Sequence, residues 1–242
     1  MYIESPTNPT LKLVDIAKAA RLAHGVGALL LIDSTFASPI NQKPLSLGAD
    51  VVLHSATKYL NGHADVIAGA AAARRDLVEK IKFVRRTLGG TLDPHAARLT
   101  LRGIKTMAVR VRAQNRNTQA LAEYLSRHKK VAKVNYPGLR THPQHALARR
   151  QMDGYGGVLS FEIRGSMKDA MKFTESVKVA ILAASLGGVE TLAAQPAILT
   201  HTQLSAEERG KIGISETLVR VSVGIEDAED LIEDFAQALA RT

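Results

Sequence analysis

Apolar residues along the chain follow two periods. Ala28 to Ile32 and Val51 to Leu53 are unbroken apolar runs of strand length, the pattern of parallel strands covered on both faces. Around them the period lengthens. Leu13, Ile16, Ala17 and Ala20 recur at i, i+3, i+4 and i+7, which predicts a helix from Thr10 ended by Gly25. Val66 to Ala73 reads as a third strand, and Leu77, Ile81 and Val84 place a helix over Asp76 to Arg86. Met1 to Glu4 reads as the tail of another strand, running into Ser5-Pro6-Thr7-Asn8-Pro9, where two prolines forbid regular structure. Strands alternating with helices define an α/β fold with a mostly parallel sheet.

A second unit follows. Gly89-Gly90 is a break, and Asp93-Pro94 fits the cap and first position of a linking helix that runs toward Ser126, kinked at Gly103. Beyond it, Val131 to Asn135, Val158 to Ile163 and Thr217 to Val223 read as strands, and His145 to Met152, Met167 to Val177 and Glu226 to Ala240 as helices. The expected division is a large domain over residues 1–116 and a smaller C-terminal α/β domain over 117–242. Ala183 to Gly188 is a loop of small residues, able to bring backbone close to a ligand.

Composition changes this picture little. At 242 residues, 45% hydrophobic and 23% charged, the chain is that of an ordinary globular protein. It has no cysteine, which excludes disulfides and thiolate metal sites and makes the reducing cytoplasm the expected compartment. No apolar run spans a membrane, and Met1 to Pro6 has neither the basic start nor the apolar core of a signal peptide. The net charge of +9 is carried by Arg74 to Arg86, Arg98 to Arg116 and Arg127 to Lys133. These stretches have almost no interleaved aromatics for base stacking, so nucleic acid is not the expected partner, and solvated helix faces that attract small anions are. The histidines form no compact ligand set; His142 and His145 are expected at the surface, and no metal is expected. Neither Gly89-Gly90 nor Gly187-Gly188 has the setting of a dinucleotide loop.

The chemistry gathers at strand ends. Asp33 closes one parallel strand, and Ser55, Thr57 and Lys58 follow the next, so an acid, two hydroxyls and an amine reach the edge where open α/β sheets hold ligands. Taken singly, Lys58 also fits a solvated surface lysine and Asp33 a capping residue. Arg220 sits in an alternating strand, where a buried guanidinium needs an anion. A ligand carboxylate or Glu216 would serve.

Several longer motifs stand in order: Glu4-Ser5-Pro6-Thr7-Asn8-Pro9, Asp33-Ser34-Thr35-Phe36-Ala37-Ser38-Pro39, Ser55-Ala56-Thr57-Lys58-Tyr59-Leu60-Asn61-Gly62-His63, Tyr136-Pro137-Gly138-Leu139, Ser185-Leu186-Gly187-Gly188, and Val219-Arg220-Val221-Ser222-Val223-Gly224-Ile225-Glu226. In these the chain resembles the pyridoxal-phosphate enzymes of cysteine and methionine metabolism, the cystathionine γ-synthases, cystathionine γ-lyases, methionine γ-lyases and homoserine-ester sulfhydrylases. The resemblance implies the fold-type-I transferase architecture and pyridoxal 5'-phosphate as cofactor. It makes Lys58 the catalytic lysine that forms the Schiff base and moves protons, Asp33 the partner of the pyridinium nitrogen, Ser55 and Thr57 phosphate donors, Asn8 the partner of the phenolic oxygen, and Thr35 a further cofactor contact. Arg220 and Ser185 are then expected to hold the carboxylate of an amino-acid substrate, and the protein to be a homo-oligomer, dimer or tetramer. The implied reaction is γ-elimination or γ-replacement on sulfur amino acids or homoserine esters, by a lyase or transferase of transsulfuration. Two departures qualify it. The family's glycine-rich phosphate loop and ring-stacking tyrosine have no counterpart here, so the chain is expected to be an N-terminally truncated fragment; a catalytically inactive remnant is the alternative from another class. Ala184 stands where many cystathionine enzymes carry glutamate, which turns the expectation toward a methionine γ-lyase-like or O-acyl-homoserine sulfhydrylase-like preference.

Overall fold

A computed structural model describes residues 1–199 and 202–242. Its first sheet is built from β1 (Tyr2–Glu4), β2 (Leu31–Asp33), β3 (Val51–Ser55) and β4 (Gly69–Ala73), in that order. The first three are parallel, as the unbroken apolar runs at β2 and β3 predict, and β4 is antiparallel to β3. Glu4, Asp33 and Leu53 lie in register, so the carboxyl ends form one edge, level at β1 and β2, with β3 running two residues further to Ser55. Between β1 and β2 runs α1 (Ile16–Gly25), which buries Ile16, Ala19, Ala20 and Ala23 against Leu30, Ile32 and Val52. A short α2 (Ser38–Asn41) follows β2, and α3 (Arg75–Leu88) follows β4.

Then come α4 (Pro94–Ile104) and α5 (Met107–Arg127), and the second sheet: β5 (Val131–Asn135), α6 (His145–Gln151), β6 (Val158–Ile163), α7 (Met167–Ser176), β7 (Ile181–Leu182), β8 (Leu192–Ala194), α8 (Pro196–Leu199), α9 (Ala206–Ile212), β9 (Leu218–Ser222) and α10 (Ala228–Ala240). Its strand order is β5-β6-β9-β8-β7, antiparallel except for β7 with β8. Phe161, Phe173 and Phe235 meet under it with centroids 5.2 to 6.3 Å apart. Edge-to-face pairs of this kind add about 0.5–1.5 kcal/mol each beyond their buried area. α5 connects the sheets. Its apolar end, Leu121, Ala122 and Leu125, enters the second core, while Arg110, Gln114 and Thr118 are buried nearer the first.

Four expectations change. Helix α1 starts at Ile16, not Thr10, because Asp15 caps it by accepting from the Lys18 N–H at 3.0 Å. Ahead of it Leu11 is left-handed (φ 55°), and the Leu13 and Val14 N–H groups donate to Gln144 Oε1 and Ser5 Oγ, so this apolar stretch is a side-chain-tethered segment. The single linking helix is two, interrupted at Lys105 and Thr106, two residues after Gly103. Within its basic stretch Arg110 lies buried rather than on a solvated face. His142 is buried as well, its Nδ1 accepting from the Gln144 N–H.

Candidate functional site

Each parallel strand delivers its terminal residues to the carboxyl edge. Asp33 ends β2 and holds the next turn by accepting the Thr35 N–H on Oδ1 at 2.8 Å; Thr35 Oγ1 in turn accepts the Ser55 N–H at 2.8 Å. Asp33, Thr35 and Ser55 are thereby one linked group. Asp33 and Ser55 line a cavity of about 610 Å³ together with His54, Lys82 and Arg85. Thr57 is occupied otherwise: its hydroxyl donates to the Ala68 carbonyl and accepts the Ala68 N–H.

A second group forms around the amine. Lys58 Nζ donates to Ser185 Oγ at 2.6 Å. Arg220, in the central strand β9, donates to the Ser185 carbonyl at 2.8 Å and to Asn8 Oδ1 at 3.2 Å. Lys58, Ser185, Arg220 and Asn8, scattered over 213 positions of sequence (8 to 220 inclusive), are therefore one continuous chain of contacts. The two halves of the molecule meet here through Gly187. Its backbone is left-handed (φ +78°), and a Cβ there would stand 2.9 Å from the Tyr59 nitrogen and 3.2 Å from Lys58. Ser185 is left-handed too, at φ 82°, a conformation that costs a non-glycine residue about 1–3 kcal/mol.

Electrostatics follow from this packing. Arg220 is 3% exposed, its Nε has no partner, and among the described residues no carboxylate pairs with it, so Glu216 does not serve. Burial, and then the Arg220 charge, hold the Lys58 amine below the usual lysine range, which favours the neutral form able to act as nucleophile or base. Burial also lowers His54. Composition could not point to Gln114, whose Nε2 holds the Gly188 carbonyl at 2.7 Å, nor to Ser222, whose Oγ accepts the Gly187 N–H at 2.8 Å; the small-residue loop they tether was the only signal. A larger cavity of about 840 Å³ lies elsewhere, between α5 and the segment after β5, and contains none of these residues.

Fold and site define an α/β protein with a half-buried, cation-flanked lysine at the carboxyl edge of a parallel sheet. Residues 1–240 match the Cys/Met metabolism PLP-dependent enzyme family, and the chain belongs to it. It is 49% identical over 240 residues to a cystathionine gamma-lyase of Dictyostelium discoideum, covering 99% of this chain and 62% of that protein. A chloroplastic cystathionine gamma-synthase 1 of Arabidopsis thaliana is 51% identical, over 98% of this chain and 42% of that protein. The crystal structure of a cystathionine gamma-synthase from Xanthomonas oryzae pv. oryzae, in complex with aminoacrylate and cysteine, superposes with a TM-score of 0.97 at 47% identity, covering 99% of this chain and 62% of that one. The chain thus spans about four to six tenths of the length of these relatives.

The residues present fit a pyridoxal phosphate. A buried guanidinium without a carboxylate suits an anionic ligand, an amine stands beside it, and a carboxylate and the Ser55 hydroxyl line the neighbouring cavity. Among the described residues no group of three or more His, Asp or Glu is placed to hold a metal ion, and no helix is long and apolar enough to cross a membrane.

Proposed function

We propose that this chain carries the lysine and carboxylate-binding sides of a pyridoxal-phosphate site that performs γ-elimination or γ-replacement on sulfur amino acids or homoserine esters. The observation that carries the reading is the buried, anion-lacking Arg220 joined to Lys58 through Ser185. Pyridoxal phosphate, when bound, supplies an electron sink for a carbanion at the substrate α carbon. The chain's own residues do the rest. Lys58 Nζ, its pKa lowered by burial and then by the Arg220 charge, takes and returns protons at the α carbon. Ser185 Oγ fixes the direction of that nitrogen, and Arg220 with Ser185 receives the substrate carboxylate. Asp33 serves the ring nitrogen and Thr35 holds Asp33 in place. Of the two phosphate donors proposed, Ser55 keeps its hydroxyl free of bonds within the described residues, while Thr57 shapes the turn through Ala68. Asn8 accepts from Arg220 and would serve the ring's phenolic oxygen.

Ala184 favours a second reading of the substrate. It is exposed, small and apolar, so it offers no carboxylate to a distal ammonium, which suits methionine or an O-acyl-homoserine better than cystathionine. Exposed apolar residues on α3 to α5, Phe83, Leu88, Leu101 and Val109 among them, support a homo-oligomer, and the residue 116/117 division proposed between domains falls within the unbroken α5. The test is reconstitution of the purified chain with pyridoxal phosphate. A visible absorption band lost in Lys58→Ala is expected, with ammonia and 2-oxo acid release compared for methionine, cystathionine and homoserine esters. A wild-type chain that never acquires the band refutes the reading and leaves a non-catalytic remnant.

A further inference from the structure

One face of α5 reaches three segments around the site. Arg110, Gln114 and Asn117, spaced four and three residues apart, share that face. Arg110 donates to the Tyr59 carbonyl just after Lys58 at 3.1 Å, Gln114 to the Gly188 carbonyl at 2.7 Å, and Asn117 to the Glu226 carbonyl beyond β9 at 2.7 Å. Gln114 is the middle member and is fully buried, yet its Oε1 has no partner. An apolar side chain of the same length would fill this space without stranding an acceptor, so packing alone does not account for an amide here. What the amide does is hold Gly188. Within the Ser185 to Gly188 loop, the Gly187 N–H is held by Ser222 and the Gly188 carbonyl by Gln114. The Ser185 oxygens at the other end receive Lys58 and Arg220.

We propose that Gln114 is a positioning residue: its bond to the Gly188 carbonyl fixes the Ser185 to Gly188 loop over Lys58, and so sets both the Lys58–Ser185 contact and the shielding of the amine. The inference rests on the reading of Lys58 as the reactive amine. Without the bond the loop lifts, water reaches Nζ, and the amine moves back toward an ordinary lysine while Arg220, the charged group facing it from β9, stays in place.

The experiment measures the Lys58 amine in the chain without cofactor, by competitive acetylation across a pH series with peptide mapping, so that every lysine reports separately. In the parent, Lys58 is expected to titrate below the usual lysine range; in Gln114→Met its ionisation constant is expected to move at least about threefold back toward that range. Gln119→Met, on the same helix but paired outward with Glu123, is the control expected to leave Lys58 unchanged. A Gln114→Met chain with the parent's circular dichroism and an unmoved Lys58 overturns the proposal. Should that variant fail to fold, Gln114→Leu, neutral and likewise without a donor, takes its place under the same criterion. An ordinary Lys58 in the parent itself refutes the premise along with the proposal, and is distinguished from failure of the positioning role alone, in which the parent is depressed and the variants match it.

Discussion

Gly187 is where a single methyl group decides whether the two halves of the site can meet. Alanine there carries two separate penalties. The left-handed backbone at φ +78° costs an L-residue roughly 1–2 kcal/mol. The added Cβ stands 2.9 Å from the Tyr59 nitrogen and 3.2 Å from both the Lys58 carbonyl carbon and its Cβ, and these are main-chain neighbours that cannot swing aside, so overpacking adds roughly 1–3 kcal/mol. The sum, about 2–5 kcal/mol, corresponds in a chain of this length to a fall in Tm of roughly 4–20 °C, at about 2–4 °C per kcal/mol. Gly210, inside α9, is the matched contrast: it has no positive φ, and a Cβ there meets nothing within 4 Å. Gly210→Ala is expected to stabilise by about 0.5–1 kcal/mol through helix propensity and a less flexible unfolded chain. Because the chain has no tryptophan, far-UV circular dichroism during thermal and urea unfolding is the assay. A Gly187→Ala chain that melts with the parent, while still labelling Lys58 at the parent's rate, would refute the claim that this glycine is where the loop and the lysine turn touch.

Three further outcomes are expected. Lys58 has a folded-state pKa below its ordinary 10.5, so the unfolded chain binds more protons and stability rises as pH climbs from the folded pKa toward 10.5; urea midpoints measured across that alkaline window should show a rise that is flattened in Lys58→Met. Arg220→Lys keeps the charge but loses the planar fork, and should weaken binding of an amino-acid carboxylate roughly 10- to 100-fold, as read by the KM of the cofactor-loaded protein or by calorimetry. Asp234, buried on α10, accepts the N–H groups of Lys178, Val179 and Ala180; Asp234→Ala should cost about 3–5 kcal/mol in urea unfolding, since three donors lose their acceptor, with Asp234→Asn milder because one oxygen remains.

Period and punctuation carried much of this fold. The apolar runs at β2 and β3 argue for covered parallel strands and the two strands pair so, and the cap at Asp93 marks its helix directly, whereas the last helix starts at Ala228 behind its cap Asp227 rather than at Glu226. The pattern failed where tertiary contacts replaced local ones. Leu13 fits a helical stripe with Ile16, but the two enter different clusters, Leu13 with Ala37 and Met152 and Ile16 with Leu30 and Ile32. No single helix face supplies both, so the Leu13 and Val14 N–H groups are left to Gln144 and Ser5, the first of these 131 residues away from Leu13. The two-residue β7 and three-residue β8 are too short to show a period at all, and exist because Thr191 and Ala193 offer carbonyls to Ile181 and Ala183.

At the site, the side chains with their own chemistry were legible and those that position them were not. A lysine after a strand, an acid at a strand end and an arginine in an apolar strand each pose a charge problem that sequence alone exposes, because burial of a charge demands an answer. Gln114, Asn117 and Ser222 pose none; their groups are neutral and common on any helix or strand. Their partners lie 35 to 109 residues away, and those distances close only when the two sheets are brought against α5. The same logic explains Arg110. It reads as one more cation of a basic stretch until α4 ends at Ile104 and leaves the Gly103 carbonyl, together with that of Tyr59, facing α5. A buried cation shared between two carbonyls ties the Lys58 turn to the helix that also carries Gln114. The turn that carries Lys58 and the loop that faces it are therefore both anchored from one helix, which supplies none of Lys58, Ser185, Arg220 and Asn8.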